Sequence, residues 1–100
     1  MTQELVTFVA RIKAKRGREA EVKQELLKLI APTRAEAGCV SYDMHVSLEN
    51  PAQFLFYETW KSQKDIDAHF ETPHLKSVLA KVSDSLAEPP ELTRWQKIVS

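Results

Sequence analysis

Between Leu5 and Ala14 apolar and polar positions alternate: Val6, Phe8, Ala10 and Ile12 fall on one side, Thr7, Arg11 and Lys13 on the other. A period of two predicts a strand with one apolar face, suited to packing under helices. After Gly17 the period lengthens, and Val22, Leu26, Leu29 and Ile30 recur at helical spacing among Glu and Lys, which predicts an amphipathic helix. Pro32 falls late in that pattern, where its ring crowds the preceding turn and its missing N–H removes a bond. The helix should therefore kink or tighten before ending at a glycine cap, Gly38. From Cys39 to Leu48 the strand period returns, with Val40, Tyr42, Met44 and Val46 set against Ser41, Asp43 and His45. Asn50-Pro51 supplies a turn and Phe54 to Trp60 a returning strand, so this stretch reads as a hairpin.

Ser62 followed by Asp65 resembles a capping box, after which Ile66, His69 and Phe70 share one helical face. Thr72 and Pro73 have the character of a helix start, and Leu75, Val78, Leu79, Val82 and Leu86 trace a second, longer stripe. Glu88-Pro89-Pro90-Glu91 ends it, and Leu92 to Val99, with Trp95, is expected as a last strand. The order strand, helix, strand, strand, helix, strand predicts one α+β domain over residues 1–100. Its architecture should be a ferredoxin-like four-stranded antiparallel sheet with helices on one face. The other sheet face, carrying Leu55, Tyr57 and Thr59, would lie in water unless a second subunit covered it, so a homodimer through that face is expected.

Size strengthens that expectation. A chain of 100 residues buries only about two-thirds of its unfolded surface and retains roughly 5–15 kcal/mol of stability, so a pocket cut into its core is better afforded by a self-associated domain. Lys+Arg and Asp+Glu both number 14, for a formal charge of zero. That lacks the one-sided basic field that favours nucleic acid or an anionic membrane, and neither partner is expected. The single Cys39 cannot close an internal disulfide, and no apolar run or basic leader suggests a span or an export signal. A cytoplasmic location is expected.

The rarer reactive side chains are clustered. In the fifteen residues that follow Trp60 lie His69 and His74, two of the three histidines in the chain. Strand alternation puts Phe54, Phe56, Glu58 and Trp60 on one face, beneath His69 if that face meets the helices. Such a cluster predicts a small-molecule pocket with aromatic walls from Phe8, Tyr42, Phe56, Trp60 and Phe70. Trp60 suits either core packing or stacking on a planar ring. His69, with an ordinary pKa of ~6.5, suits either a core histidine or a base that takes a phenolic proton, and His74 is a second candidate for that base. Glu58 would orient or charge-stabilise His69, or else pair with a lysine across strands. His45 is expected on the polar side of its strand and Cys39 as a small buried hydrophobe. His69 and His74 are five apart and divided by Pro73, outside the i, i+4 spacing of a helical chelate, so no metal is expected. With only Gly17 and Gly38 in the chain, no phosphate-cradling loop is present and no nucleotide cofactor is expected.

Glu36-Ala37-Gly38-Cys39, Ser41-Tyr42, His45, Phe56-Tyr57-Glu58-Thr59-Trp60 and Thr72-Pro73-His74 together resemble the antibiotic biosynthesis monooxygenase family of dimeric α+β barrels. The resemblance spans nearly the whole chain. It implies a sheet-to-sheet homodimer with a pocket between sheet and helices in each subunit. It also implies oxidation of quinols, anthrones or related phenols by dioxygen without metal or flavin. Heme-degrading proteins of the same fold carry an asparagine on the first strand and a proximal histidine later. Ala10 and approximately Leu79 stand at those places, so heme is not implied. A related isomerase that processes an autoinducer-2 product shares the Thr-Pro-His step, so cofactor-free isomerisation of a small carbonyl compound stays open. So does a non-catalytic dimeric ligand-binding module.

Overall fold

The computed structural model describes residues 5–99. Val6–Lys13 forms β1, Glu19–Leu27 α1, Ile30–Arg34 α2, Cys39–Val46 β2, Gln53–Trp60 β3, Gln63–Phe70 α3, Pro73–Val82 α4 and Glu91–Trp95 β4, with a 3-10 turn at Ser83–Ser85. The strands make one antiparallel sheet in the order β2-β3-β1-β4. With its helices on one face, this is the α+β, ferredoxin-like arrangement expected from the patterning. Among the described residues no helix is long and apolar enough to cross a membrane.

Pairing register turns the alternation into rows of side chains. Phe8 stands opposite Glu58 and Glu58 opposite Tyr42, while Val6, Trp60 and Cys39 form the next row. The helices cover this inner face, where Phe54, Phe56 and Trp60 join Val22, Leu26, Leu29, Ile66, Leu75, Val78 and Val82 in one buried core. At roughly 1.5–3 kcal/mol for each large apolar side chain removed from water, this layer is the chief stabilising contribution.

Pro32 breaks the first helix as expected, and the break falls one turn earlier, at Lys28 and Leu29. The proline ring crowds the carbonyl four residues back, that of Lys28. There the bonds shorten to the tighter kind, Lys28 N–H to Glu25 O at 3.1 Å and Leu29 N–H to Leu26 O at 3.0 Å. Ser62 caps α3 by accepting from Asp65 N–H at 3.2 Å, and its hydroxyl donates to Asp65 Oδ2 at 2.8 Å. The Thr72 side chain does not cap α4. Its hydroxyl donates back to the His69 carbonyl at 2.7 Å, closing α3 instead.

Several expectations need correction. Gly38 is not a left-handed cap, since Gly17 is the residue with positive φ among those described. Gly38 is glycine because a Cβ there would collide with the Asp65 side chain. Val40 does not continue the apolar alternation of its strand: the register shifts between Cys39 and Ser41, and Val40 is exposed. Such an extra residue re-aims the strand end and leaves its own side chain outside the ladder. Val46, although in register with Phe54, lies at the outer strand of the sheet and is also exposed. The last strand ends at Trp95 rather than Val99.

Candidate active site

Between the inner sheet face and the helices lies a cavity of about 60 Å³. Phe8, Tyr42, Phe56, Glu58, His69 and Phe70 line it, together with Ala10, Ile12, Leu26, Leu29, Leu75, Leu79, Pro90 and Leu92. Each strand sends in alternate residues, α3 supplies His69 and Phe70, and β4 with the segment before it supplies Leu92 and Pro90. The walls are apolar, and their polar groups are Tyr42, Glu58 and His69.

Two candidates are placed differently from the expectation. Trp60 does not line the cavity. It is completely buried behind the wall, its ring 4.8 Å from the His69 ring at an interplanar angle of 40°. Its indole N–H donates to Glu58 Oε1 at 2.8 Å, satisfying a donor that burial would otherwise leave costly. His74 does not line the cavity either and connects to it through a carboxylate.

That carboxylate is Glu36, and it replaces Glu58 as the partner of His69. Glu36 Oε2 lies 2.7 Å from His69 Nδ1 and 2.8 Å from His74 Nε2. With Glu36 ionised, both rings donate N–H to the same oxygen. This fixes the His69 tautomer with its proton on Nδ1 and leaves Nε2 as an acceptor that no group of the described residues meets. The side chain of His69 is only 3% exposed. Burial pulls its pKa below the ordinary value, opposed by the hydrogen bond and charge of Glu36. A buried, neutral imidazole with an oriented N–H and a free Nε2 at a cavity has the geometry of a general base.

Glu58 makes no bond to His69. Burial among aromatic rings raises its pKa to about 7, with the Trp60 N–H lowering it and the Glu36 charge raising it. Cys39 is half-buried, and burial pushes its thiol up to about 11, as expected of an unreactive cysteine. His45 is exposed and pairs in register with Leu55 on the outer sheet face.

The spacing argument against a shared histidine site does not survive. The turn at Thr72 and Pro73 lets α3 and α4 bring both rings onto one carboxylate, and the donor atoms of Glu36, His69 and His74 lie within 4.8 Å of one another. These residues form a hydrogen-bonded network as they stand, and the same donor set is of a kind that holds divalent ions. Glu36 carried a sequence signal only as part of the Glu36-Ala37-Gly38-Cys39 run. Nothing in the local periodicity tied it to histidines 33 and 38 residues away.

A ferredoxin-like sheet under helices, with a histidine-bearing apolar cavity between the layers, defines the class of protein. The chain belongs to the antibiotic biosynthesis monooxygenase family, whose profile matches residues 5–81. It is 31% identical over 88 residues to a Mycobacterium tuberculosis protein provisionally named a monooxygenase, covering 88% of this chain and 86% of that protein. A Bacillus subtilis protein with the same provisional name is 29% identical over 92 residues, 92% of this chain and 97% of that one. A Synechocystis relative is 32% identical over 87 residues, 87% of this chain, which spans 59% of that relative's length. Among solved structures, a Pseudomonas aeruginosa protein superposes with a TM-score of 0.93 at 26% identity, over 99% of each chain.

Proposed function

We propose that the chain is a cofactor-independent monooxygenase that oxidises a quinol, an anthrone or a similar small phenolic compound with dioxygen. The observation that carries this reading is His69, held neutral by burial, oriented through Nδ1 by Glu36 and presenting Nε2 at an aromatic-walled cavity. Family membership supports it, as do the provisional names of two relatives.

In this mechanism the substrate loses a proton to His69 Nε2, and Glu36 stabilises the imidazolium that forms. The resulting electron-rich anion passes one electron to dioxygen, and the radical pair combines at the ring carbon to give a hydroperoxide. Loss of water leaves a carbonyl, so an anthrone CH₂ plus O₂ becomes C=O plus H₂O. Electrons come from the substrate, and the protein supplies position, the base and a dry site. His74, donating to the same carboxylate oxygen, would help hold Glu36 in position beneath His69. The cavity, at about 60 Å³, is smaller than the roughly 150 Å³ that admits a benzene ring, so a bound ring must displace part of the lining.

The active unit is proposed to be a homodimer through the outer sheet face, where Tyr57 and Trp95 lie 45% and 59% exposed. The His–Glu–His network also favours a second reading, proton shuttling on a small carbonyl compound without oxygen. Oxygen uptake with a panel of quinols and anthrones after chelation separates the two. Chelator-resistant uptake that requires His69 supports the monooxygenase, anaerobic turnover supports the isomerase, and tight ligand binding with neither indicates a binding module.

A further inference from the structure

Glu58 is a buried carboxyl that the mechanism above does not use. It sits in the middle of the sheet floor, flanked in register by Phe8 and Tyr42, and it lines the cavity that His69 lines from the helix side. One oxygen, Oε1, is pinned by the Trp60 indole N–H at 2.8 Å, and the other accepts no hydrogen bond from the described residues. A carboxyl in its acid form carries one O–H donor. With Oε1 occupied by an N–H, that proton belongs on Oε2, on the side of the cavity.

We propose that Glu58 is a catalytic hydrogen-bond donor. In this role its unionised carboxyl, fixed by Trp60, donates from Oε2 to a substrate carbonyl oxygen while His69 removes the acidic proton. The substrate class is thereby narrowed to compounds carrying both features on one ring system, an enolisable aryl ketone of the anthrone type rather than a simple monophenol.

The step balances as a proton transfer. The ring C–H bond breaks, its proton goes to His69 Nε2, and its electron pair moves into the ring as the carbonyl π bond shifts onto oxygen. The enolate oxygen gains the negative charge and the Glu58 O–H supports it. Preorganised donors aimed at a developing oxyanion in a dry site typically contribute on the order of 10²–10³ in rate. A carboxylic acid kept neutral by apolar surroundings is suited to this work. Burial gives Glu58 that tendency, with a pKa of about 7. Facing it are Tyr42 and Cys39 from β2, Glu36 from the loop before β2 and His69 from α3. Arg94 of β4 is turned to Gln63 at 3.0 Å. Tyr42 and Cys39 are both shifted upward by burial, which leaves Glu58 as the group whose deprotonation would close an activity near neutral pH.

This inference rests on His69 as the base, and its test needs no oxygen. Under argon in D₂O, exchange of the methylene protons of anthrone is followed by NMR across neutral pH for the parent, Glu58→Gln and Glu58→Leu. Exchange by the parent should fall as pH rises through about 7. Glu58→Gln keeps both the acceptor for Trp60 and a donor toward the cavity, so it should stay within about tenfold of the parent and lose that alkaline fall. Glu58→Leu should drop on the order of 10²–10³. An alkaline limb retained in Glu58→Gln, or a folded Glu58→Leu with parental rates, would overturn the role of Glu58 and leave His69 untouched. Absence of exchange by the parent would overturn both. Exchange without oxygen uptake would sink the monooxygenase reading and keep this one.

Discussion

The two faces of β3 are built from consecutive residues and differ in almost every respect. Inward, Phe54, Phe56, Glu58 and Trp60 are all buried, and the polar atoms among them are either paired or turned to the cavity. Outward, Leu55, Tyr57 and Thr59 share their face with Val9, His45 and Trp95, and Tyr57 and Trp95 remain substantially exposed. The inner face borders a cavity beneath the helices, whereas the outer face leaves large apolar side chains exposed. The proposed function assigns chemistry to the first face and association to the second. Substitutions on the two faces should consequently fail in different assays.

The largest effects are expected on the inner face. His69→Ala should lower chelator-resistant oxygen uptake on the order of 10²–10⁴-fold, the usual worth of a positioned base, with little change in sedimentation. Glu36→Gln removes the charge that fixes the His69 tautomer and should cost about 10²–10³ in kcat with a smaller change in KM. Unchanged kcat in Glu36→Gln would mean that the short contacts to both histidines are structural. Trp60→Ala should destabilise the domain by about 3–5 kcal/mol in denaturant titration, because it opens a large void and strips Glu58 of its donor.

How much of this contrast the sequence carries depends on the range of the interaction. The period of two assigned Phe56, Glu58 and Trp60 to one face and Tyr57 to the other, since side-chain direction along a strand is a local property. The Ser62 cap and the helix break at Thr72 were equally legible, being made by residues three apart. Glu36 was not, because a loop carboxylate meeting two histidines more than thirty residues away is a product of tertiary packing. The same reason explains Trp60 and Gly38. Alternation says that Trp60 points inward but not that His69 and Glu58 stand between it and the cavity. A glycine in the sequence does not reveal whether it serves φ or the close approach of Asp65.

A subtler test of the inner face is the pH dependence of stability. Glu58 is raised from an ordinary 4.5 to about 7 in the folded chain. Between those values the folded state binds more protons than the unfolded one, so stability falls as pH rises through the window. The full displacement corresponds to about 3 kcal/mol. His69 acts in the opposite sense. Its pKa is lowered from 6.5, the unfolded state binds more protons below that value, and stability falls as pH drops. Denaturant midpoints measured from pH 4 to 8 should therefore pass through a maximum. Glu58→Gln should flatten the alkaline side alone and His69→Gln the acidic side alone. A parent whose stability rises steadily to pH 8 would contradict a neutral Glu58 at the cavity floor.

The smallest effect, and the one that isolates the outer face, is expected from Tyr57→Lys. Tyr57 lies at the centre of that face, paired in register with Val9 on one side and Asp43 on the other. Exposed aromatic side chains at such positions are frequent anchors of association, worth about 2 kcal/mol or more on truncation. A lysine there would place two like charges near one another across a two-fold axis, because the same patch meets itself. Sedimentation should show the dimer dissociating at roughly thirtyfold higher concentration than the parent, in keeping with about 2 kcal/mol. The unfolding midpoint extrapolated to low protein concentration should stay within about 0.5 kcal/mol of the parent, as for a surface site in the isolated subunit. A parent that sediments as a monomer at micromolar concentration would remove the assignment of this face to association. A dissociated Tyr57→Lys that still consumed oxygen at the parental rate would show that each inner face works alone, with the outer face contributing stability and not chemistry.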